Sequence, residues 1–200
     1  MKSPIKYISI LLASILALSP LSPVYADENP AQNIYFGVGV SLTDLQLNED
    51  NILANINLNG QYQFDNSSPA FKLFAGYRFD QYLAIEMDYT SFGNTAIDNG
   101  NQKTILFSAD SLVISMALNY PVTQNIDLYG KLGVSAWIMD SSREILKTDG
   151  TGMAYGVGLD INLYGEKTRV MRVEWLEQSF DDVFLSQSST LSASIVFRFY

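Results

Sequence analysis

The stretch FKLFAGYRFDQYLAIEMDY, residues 71–89, is hydrophobic enough to be buried, yet it contains Lys72, Arg78, Glu86 and Asp88. These four charges all fall on even positions, while Phe71, Leu73, Ala75, Tyr77, Phe79, Leu83, Ile85, Met87 and Tyr89 occupy the odd ones. Side chains alternate between faces along a β-strand. The stretch therefore reads as two strands separated only by Asp80 and Gln81, with one apolar face and one ionic face.

The same period of two recurs along the chain. Eight runs carry it, at 33–42, 69–79, 82–92, 104–120, 126–139, 152–162, 169–176 and 188–200, and no helical periodicity of comparable length competes. In every run one parity is predominantly apolar, for example Ile34, Phe36, Val38, Val40 and Leu42, or Leu191, Ala193, Ile195, Phe197 and Phe199. The opposite parity holds Gly37, Gly39, Gly76, Gly133, Gly152, Gly156 and Gly158 with Ser and Ala. It also holds the interior charges: Lys72, Arg78, Lys131, Arg172 and Arg198 against Glu86, Asp88, Asp127, Asp160 and Glu174.

Alternation does not say which face is outside. A soluble lipocalin-like barrel turns the apolar face inward, and an outer-membrane barrel turns it toward lipid. Three features favour lipid. The ionic parity is crowded with small residues, which suits the cramped lumen of an eight-stranded barrel by leaving room for the large charged side chains. Short connections (Asp80–Gln81, 121–125, 163–168) alternate with longer polar ones (43–68, 93–103, 140–151, 177–187), as periplasmic turns alternate with extracellular loops. That alternation also sends Phe79, Tyr120 and Phe199 to one end of the apolar face and Phe71, Tyr89, Tyr155 and Trp175 toward the other, as two aromatic girdles.

The expected fold class is thus all-β: an eight-stranded antiparallel up-and-down transmembrane β-barrel. A Lys or Arg facing lipid near the midplane costs roughly 2–4 kcal/mol, which accounts for the confinement of charge to one parity. Charges enclosed in the lumen must pair. Lys72 and Arg78 are expected to find Glu86 and Asp88 on the neighbouring strand.

The N-terminus is built differently. Lys2 and Lys6 precede the apolar run Ile8–Leu18, and Val24-Tyr25-Ala26 closes the segment, so residues 1–26 read as a secretory signal peptide and 27–200 as the barrel domain. An exported chain without cysteine cannot rely on disulfides. Removing the two signal lysines leaves ten basic against twenty-one acidic residues, a net charge of minus eleven that argues against nucleic acid as a partner.

The wording FKLFAGYRFDQYLAIEMDYTSFG resembles the second and third strands of the OmpA-like and opacity-protein-like outer-membrane barrels, whose usual form is close to GYRFNxYLALExGYTxxG. The ending SIVFRF resembles the C-terminal strand by which the outer-membrane assembly machinery recognises its clients, with Phe197 and Phe199 as the matching aromatics and Tyr200 one residue beyond. The resemblance implies a barrel in the cell outer membrane with both termini in the periplasm. It also implies contact with outer-membrane lipid and lipopolysaccharide, and surface-antigen or adhesin-like members that meet host or surface proteins. The chain ends with its last strand, so no peptidoglycan-binding domain is expected.

Little in the sequence points to catalysis. There is no histidine, the base generally used by barrel lipases, acyltransferases and proteases, and no cysteine for soft-metal sites. Gly37-Val38-Gly39 and Gly156-Val157-Gly158 lie inside strands and open no helix, which removes a dinucleotide loop. Asp98-Asn99-Gly100-Asn101 lacks the ligand spacing of a calcium loop. Glu86 and Asp88 read as ion-pair members rather than an acid and base. No catalytic, cofactor or metal site is expected.

Three functions remain open: a structural or surface-interaction role through the loops, a narrow pore or transporter for small solutes, and a periplasmic lipocalin-like binding protein. The first loop, 43–68, alternates in LANINLNGQYQF, so the first two strands are expected either to extend as a hairpin or to lead into a covering loop.

Overall fold

A computed structural model describes residues 33–48, 63–64, 67–98, 103–141, 148–163, 168–180 and 185–199. Residues 1–26, expected to be a signal peptide, and most of the first loop lie outside the described residues. Among the described residues there are nine strands: β1 (Ile34–Leu47), β2 (Gln63–Phe64), β3 (Ser67–Arg78), β4 (Leu83–Asp98), β5 (Lys103–Pro121), β6 (Ile126–Ser141), β7 (Thr148–Asn162), β8 (Arg169–Ser179) and β9 (Leu185–Arg198). β2 is a two-residue addition to the far end of β4.

The eight long strands each pair antiparallel with their chain neighbours, and β1 pairs with β9, so the sheet closes without a free edge. From Leu73, the register leads one way through Tyr89, Leu112 and Ala136 to Thr151. The other way it leads through Val38, Ile195 and Met171 to Ile161. Those two ends lie ten residues apart on β7, which is the shear of the barrel. Eight strands with that stagger tilt by about 40° from the axis, within the usual range for outer-membrane barrels.

Leu73, Met87 and Val134 point outward and are exposed, as are Val40, Leu42, Leu118, Leu132, Val157 and Leu191. Lys72, Glu86, Lys131, Asp160, Arg172 and Glu174 point inward and are buried. The apolar face is therefore the outer one. A lipocalin-like arrangement needs the reverse and is excluded, because its ligand-lining residues would here be the surface. The chain crosses the membrane with strands, and its place is the outer membrane.

Phe79, Tyr120 and Phe199 stand exposed at the turn end of this surface, where Phe36 stacks between Phe197 and Phe199 at 5.2 and 5.5 Å. Phe71, Tyr89, Tyr155 and Trp175 share the same outward face nearer the loops, and Tyr155 meets Trp175 edge-on at 6.2 Å. At the first short turn, Asp80 Oδ1 accepts hydrogen bonds from the backbone N–H groups of Tyr82 and Leu83, both 2.7 Å. This side chain–backbone closure lets the four residues Phe79–Tyr82 reverse the chain.

The strands run further than hydrophobic alternation indicates. β1 continues to Leu47, β4 to Asp98, β6 to Ser141 and β8 to Ser179, and their partners begin correspondingly early. Backbone pairing does not stop where lipid stops. Past that level the outward residues turn polar, as at Asp44, Gln46, Asp140, Asp149 and Ser179, so a strand persists while its apolar period fades. β4 leaves the regular register at a bulge between Ser91 and Asn94, where Gly93 takes φ 65°, a conformation that suits glycine.

Candidate functional site

The main ionic cluster faces the lumen. Lys131 of β6 sits at its centre, with Nζ 3.0 Å from Glu86 Oε1, 2.9 Å from Asp88 Oδ2 and 2.8 Å from Glu174 Oε2. An ammonium has three protons, and three carboxylates surround this one. Lys72 bridges Asp88 at 2.9 Å and Glu174, closing a ring of two lysines and two acids.

Arg172 of β8 extends the network toward the turn end. Its Nε and Nη2 donate to the two oxygens of Asp160 at 2.7 and 3.0 Å, a bidentate fork, and its Nη1 donates to Glu86 Oε2 at 2.5 Å. Asp160 also holds Arg198 at 2.6 Å and lies 3.7 Å from Arg78, while Arg198 approaches Asp127 at 3.7 Å. All ten luminal charges, five of each sign, thus form one connected and electrically neutral set.

Lys72 does meet Asp88, but Arg78 reaches Asp160 on β7 and Asn119 on β5 rather than Glu86 or Asp88. The register gives the reason. Arg78 lies opposite Ala84, at the turn end, whereas Glu86 lies deeper in the lumen and is taken by Lys131, two strands away, and by Arg172 from the opposite wall. In a barrel this narrow, partners across the lumen compete with those on the next strand.

Four luminal aromatics went unread in the sequence: Tyr35, Phe74 and Tyr129 within this assembly, and Trp137 nearer the loops. The Arg172 guanidinium lies 4.5, 4.9 and 5.7 Å from the ring centroids of Tyr129, Phe74 and Tyr35. These rings supply cation–π attraction without adding charge. Tyr35 Oη donates to Glu86 Oε2 at 2.9 Å, and Tyr129 Oη donates to Glu174 Oε2 at 2.6 Å.

The inward glycines make room for these rings more than for the charges. A Cβ on Gly37 would strike Phe74, one on Gly76 would strike Tyr35, and one on Gly158 would strike Tyr129. The signal was available, since all four aromatics sit on the charged parity of their runs. Replacing Gly158 with valine is expected to push Tyr129 off Arg172 and cost about 1–3 kcal/mol, the usual penalty of overpacking. Denaturant midpoints of the lipid-reconstituted protein measure it.

Toward the loops apolar side chains share the lumen with buried Gln178, Ser188 and Thr190. Leu45, Phe92, Trp137, Met139, Leu176 and Phe180 are buried there, with Trp137 and Phe180 edge-on at 5.1 Å. Among the described residues no group of three or more His, Cys, Asp or Glu could hold a metal ion.

Residues 29–200 match the family model for the OmpA-like transmembrane domain. The chain belongs to that family. Outer membrane protein A of Klebsiella aerogenes is 25% identical over 151 residues, covering 72% of this chain and 43% of that protein. The Klebsiella pneumoniae protein of the same name is 34% identical over 79 residues, covering 38% of this chain and 22% of its own length. This chain therefore spans less than half the length of these curated relatives.

Among solved structures, the crystal structure of Neisserial surface protein A has a TM-score of 0.59 at 15% identity, covering 83% of this chain and 97% of that one. The outer membrane protein OprG of Pseudomonas aeruginosa has a TM-score of 0.57 at 13% identity, covering 85% and 98%. Ail, the attachment invasion locus protein of Yersinia pestis, has 0.51 at 17%, covering 83% and 99%. At these identities the likeness is one of fold.

Proposed function

We propose that this barrel is a non-enzymatic outer-membrane protein that works at the cell surface, its loops making structural or adhesin-like contacts with lipopolysaccharide, neighbouring proteins or host surfaces. The observation that carries the reading is the lumen. Ten charges locked into one neutral network, four aromatic rings seated among them or above them, and a packed layer of apolar and hydrogen-bonded polar side chains toward the loops leave the transmembrane core to stability. Recognition then falls to the loop end. Attachment by Ail, as its name states, is consistent with such work on this fold. Residues 1–26 act as the export signal in this reading, and the terminal strand, with Phe197 and Phe199, addresses the assembly machinery.

The test has two arms. In planar bilayers the reconstituted protein is expected to give no discrete conductance steps. Steps that change with Lys72→Met or Glu86→Gln would replace the surface role with the narrow-pore reading. In the second arm, cells displaying the chain are compared with cells whose barrel has residues 49–62 and 142–147 replaced by short Gly-Ser linkers. Adhesion to immobilised host-cell or matrix protein is expected to fall while the heat-dependent gel shift of the folded barrel persists. Unchanged adhesion would end the proposal.

A further inference from the structure

Of the described outward-facing acids, Asp44, Asp110, Asp140 and Asp149 are exposed or half-exposed, but Glu177 is only 4% exposed. It shares the lipid-facing parity of Trp175 on β8 and lies opposite Tyr155 on β7 and Ser189 on β9. Ser189 Oγ donates to Glu177 Oε2 at 3.0 Å, and Trp175 Nε1 donates to Ser189 Oγ at 3.0 Å. The Tyr155 and Trp175 rings meet edge-on beside it. A carboxylate is thus built into the lipid-facing wall, oriented by a serine and walled by two aromatic rings.

An ion in that position calls for a counter-ion. The chain offers none from its described side chains, because Lys72, Arg78, Lys131, Arg172 and Arg198 face the lumen and Arg169 lies at the turn end. We propose that Glu177, Trp175, Tyr155 and Ser189 form a lipid-facing site for the protonated primary amine of a membrane-lipid headgroup. The ammonium donates to the carboxylate, and its alkyl neighbours and charge rest against the aromatic rings. Tyr and Trp at this level of a barrel sit where headgroup meets acyl chain, the depth of such an amine.

A divalent metal suits the site poorly. Calcium takes six to eight oxygen ligands, and magnesium demands near-ideal octahedral oxygen geometry. Here there is one carboxylate, already engaged by Ser189 through one oxygen.

The experiment uses the full barrel in vesicles and the quenching of Trp175 by brominated lipids. Trp137, buried in the lumen, supplies a sheltered background. Brominated phosphatidylethanolamine, phosphatidylcholine and phosphatidylglycerol are each diluted into an unbrominated phosphatidylcholine host. Ethanolamine lipid is expected to quench about threefold more effectively than glycerol lipid, the scale of a cation–π contact, with choline between them. Glu177→Gln keeps the shape and the acceptor for Ser189 and is expected to abolish the difference. Dodecylammonium is expected to relieve quenching in the wild type only. Equal quenching by all three lipids, or a preference that survives Glu177→Gln, would overturn the site. A glycerol-lipid preference that appears only with magnesium would assign it to a bridging metal instead. None of these readouts involves the loops, so their failure leaves the surface role untouched.

Discussion

Replacing Lys131 with methionine is expected to destabilise the barrel by about 3–5 kcal/mol, the cost of breaking a buried ion-pair set by removing one partner. The residue is fully buried and touches Glu86, Asp88 and Glu174 within 3.0 Å. Methionine fills nearly the same volume, so little of the loss comes from packing. The loss comes from three carboxylates enclosed with two nearby cations, Lys72 and Arg172, in place of three. Urea titration of the protein in lipid vesicles, followed by the heat-dependent gel shift, measures the change. A second substitution separates electrostatics from shape. Adding Asp88→Asn to the Lys131→Met variant removes one of the stranded charges and is expected to recover part of the stability. If the double variant is weaker than the wild type by the full sum of the two separate effects, the network account fails.

The barrel was legible in the sequence because lipid and lumen impose opposite demands on adjacent residues. At Lys72–Leu73, Glu86–Met87 and Lys131–Leu132 the alternation is so sharp that the strand, its two faces and its neighbours follow from it. Two things were not legible. The strand ends beyond the lipid have no such contrast, so Asp44, Thr95 or Ser179 read as loop although their backbones pair. The wiring of the lumen was also hidden, because the sequence orders strands along the sheet but does not say which residues meet across a closed barrel. Arg172 illustrates this: its partner Asp160 lies directly opposite on the adjacent strand, while Glu86 comes from the far wall. Tyr35, Phe74 and Tyr129 were hidden for a different reason. An aromatic on the ionic parity looks like a lapse in the pattern until a guanidinium is found against its face.

One residue further along β6 the rule reverses. Leu132 stands between Met116 and Tyr155 in the register, is 59% exposed and faces lipid. Leu132→Lys is expected to cost about 2–4 kcal/mol, as a cation on the lipid face near the midplane does. The same side chain that stabilises the barrel at position 131 therefore weakens it at position 132, because the hydrocarbon cannot hydrate it. Snorkelling toward an interface lowers the cost without removing it. The control is Leu42→Lys, which shares the outward face but lies on the loop side of Val38 and Val40, close to the polar Asp44 level. There the penalty is expected to shrink toward ~0–1 kcal/mol, since the cost of a lipid-facing charge falls with distance from the midplane. Equal penalties at 42 and 132 would mean that the band of hydrocarbon does not lie where the outward residues place it. A graded pair of values would locate the membrane on this barrel by depth, independently of its shape.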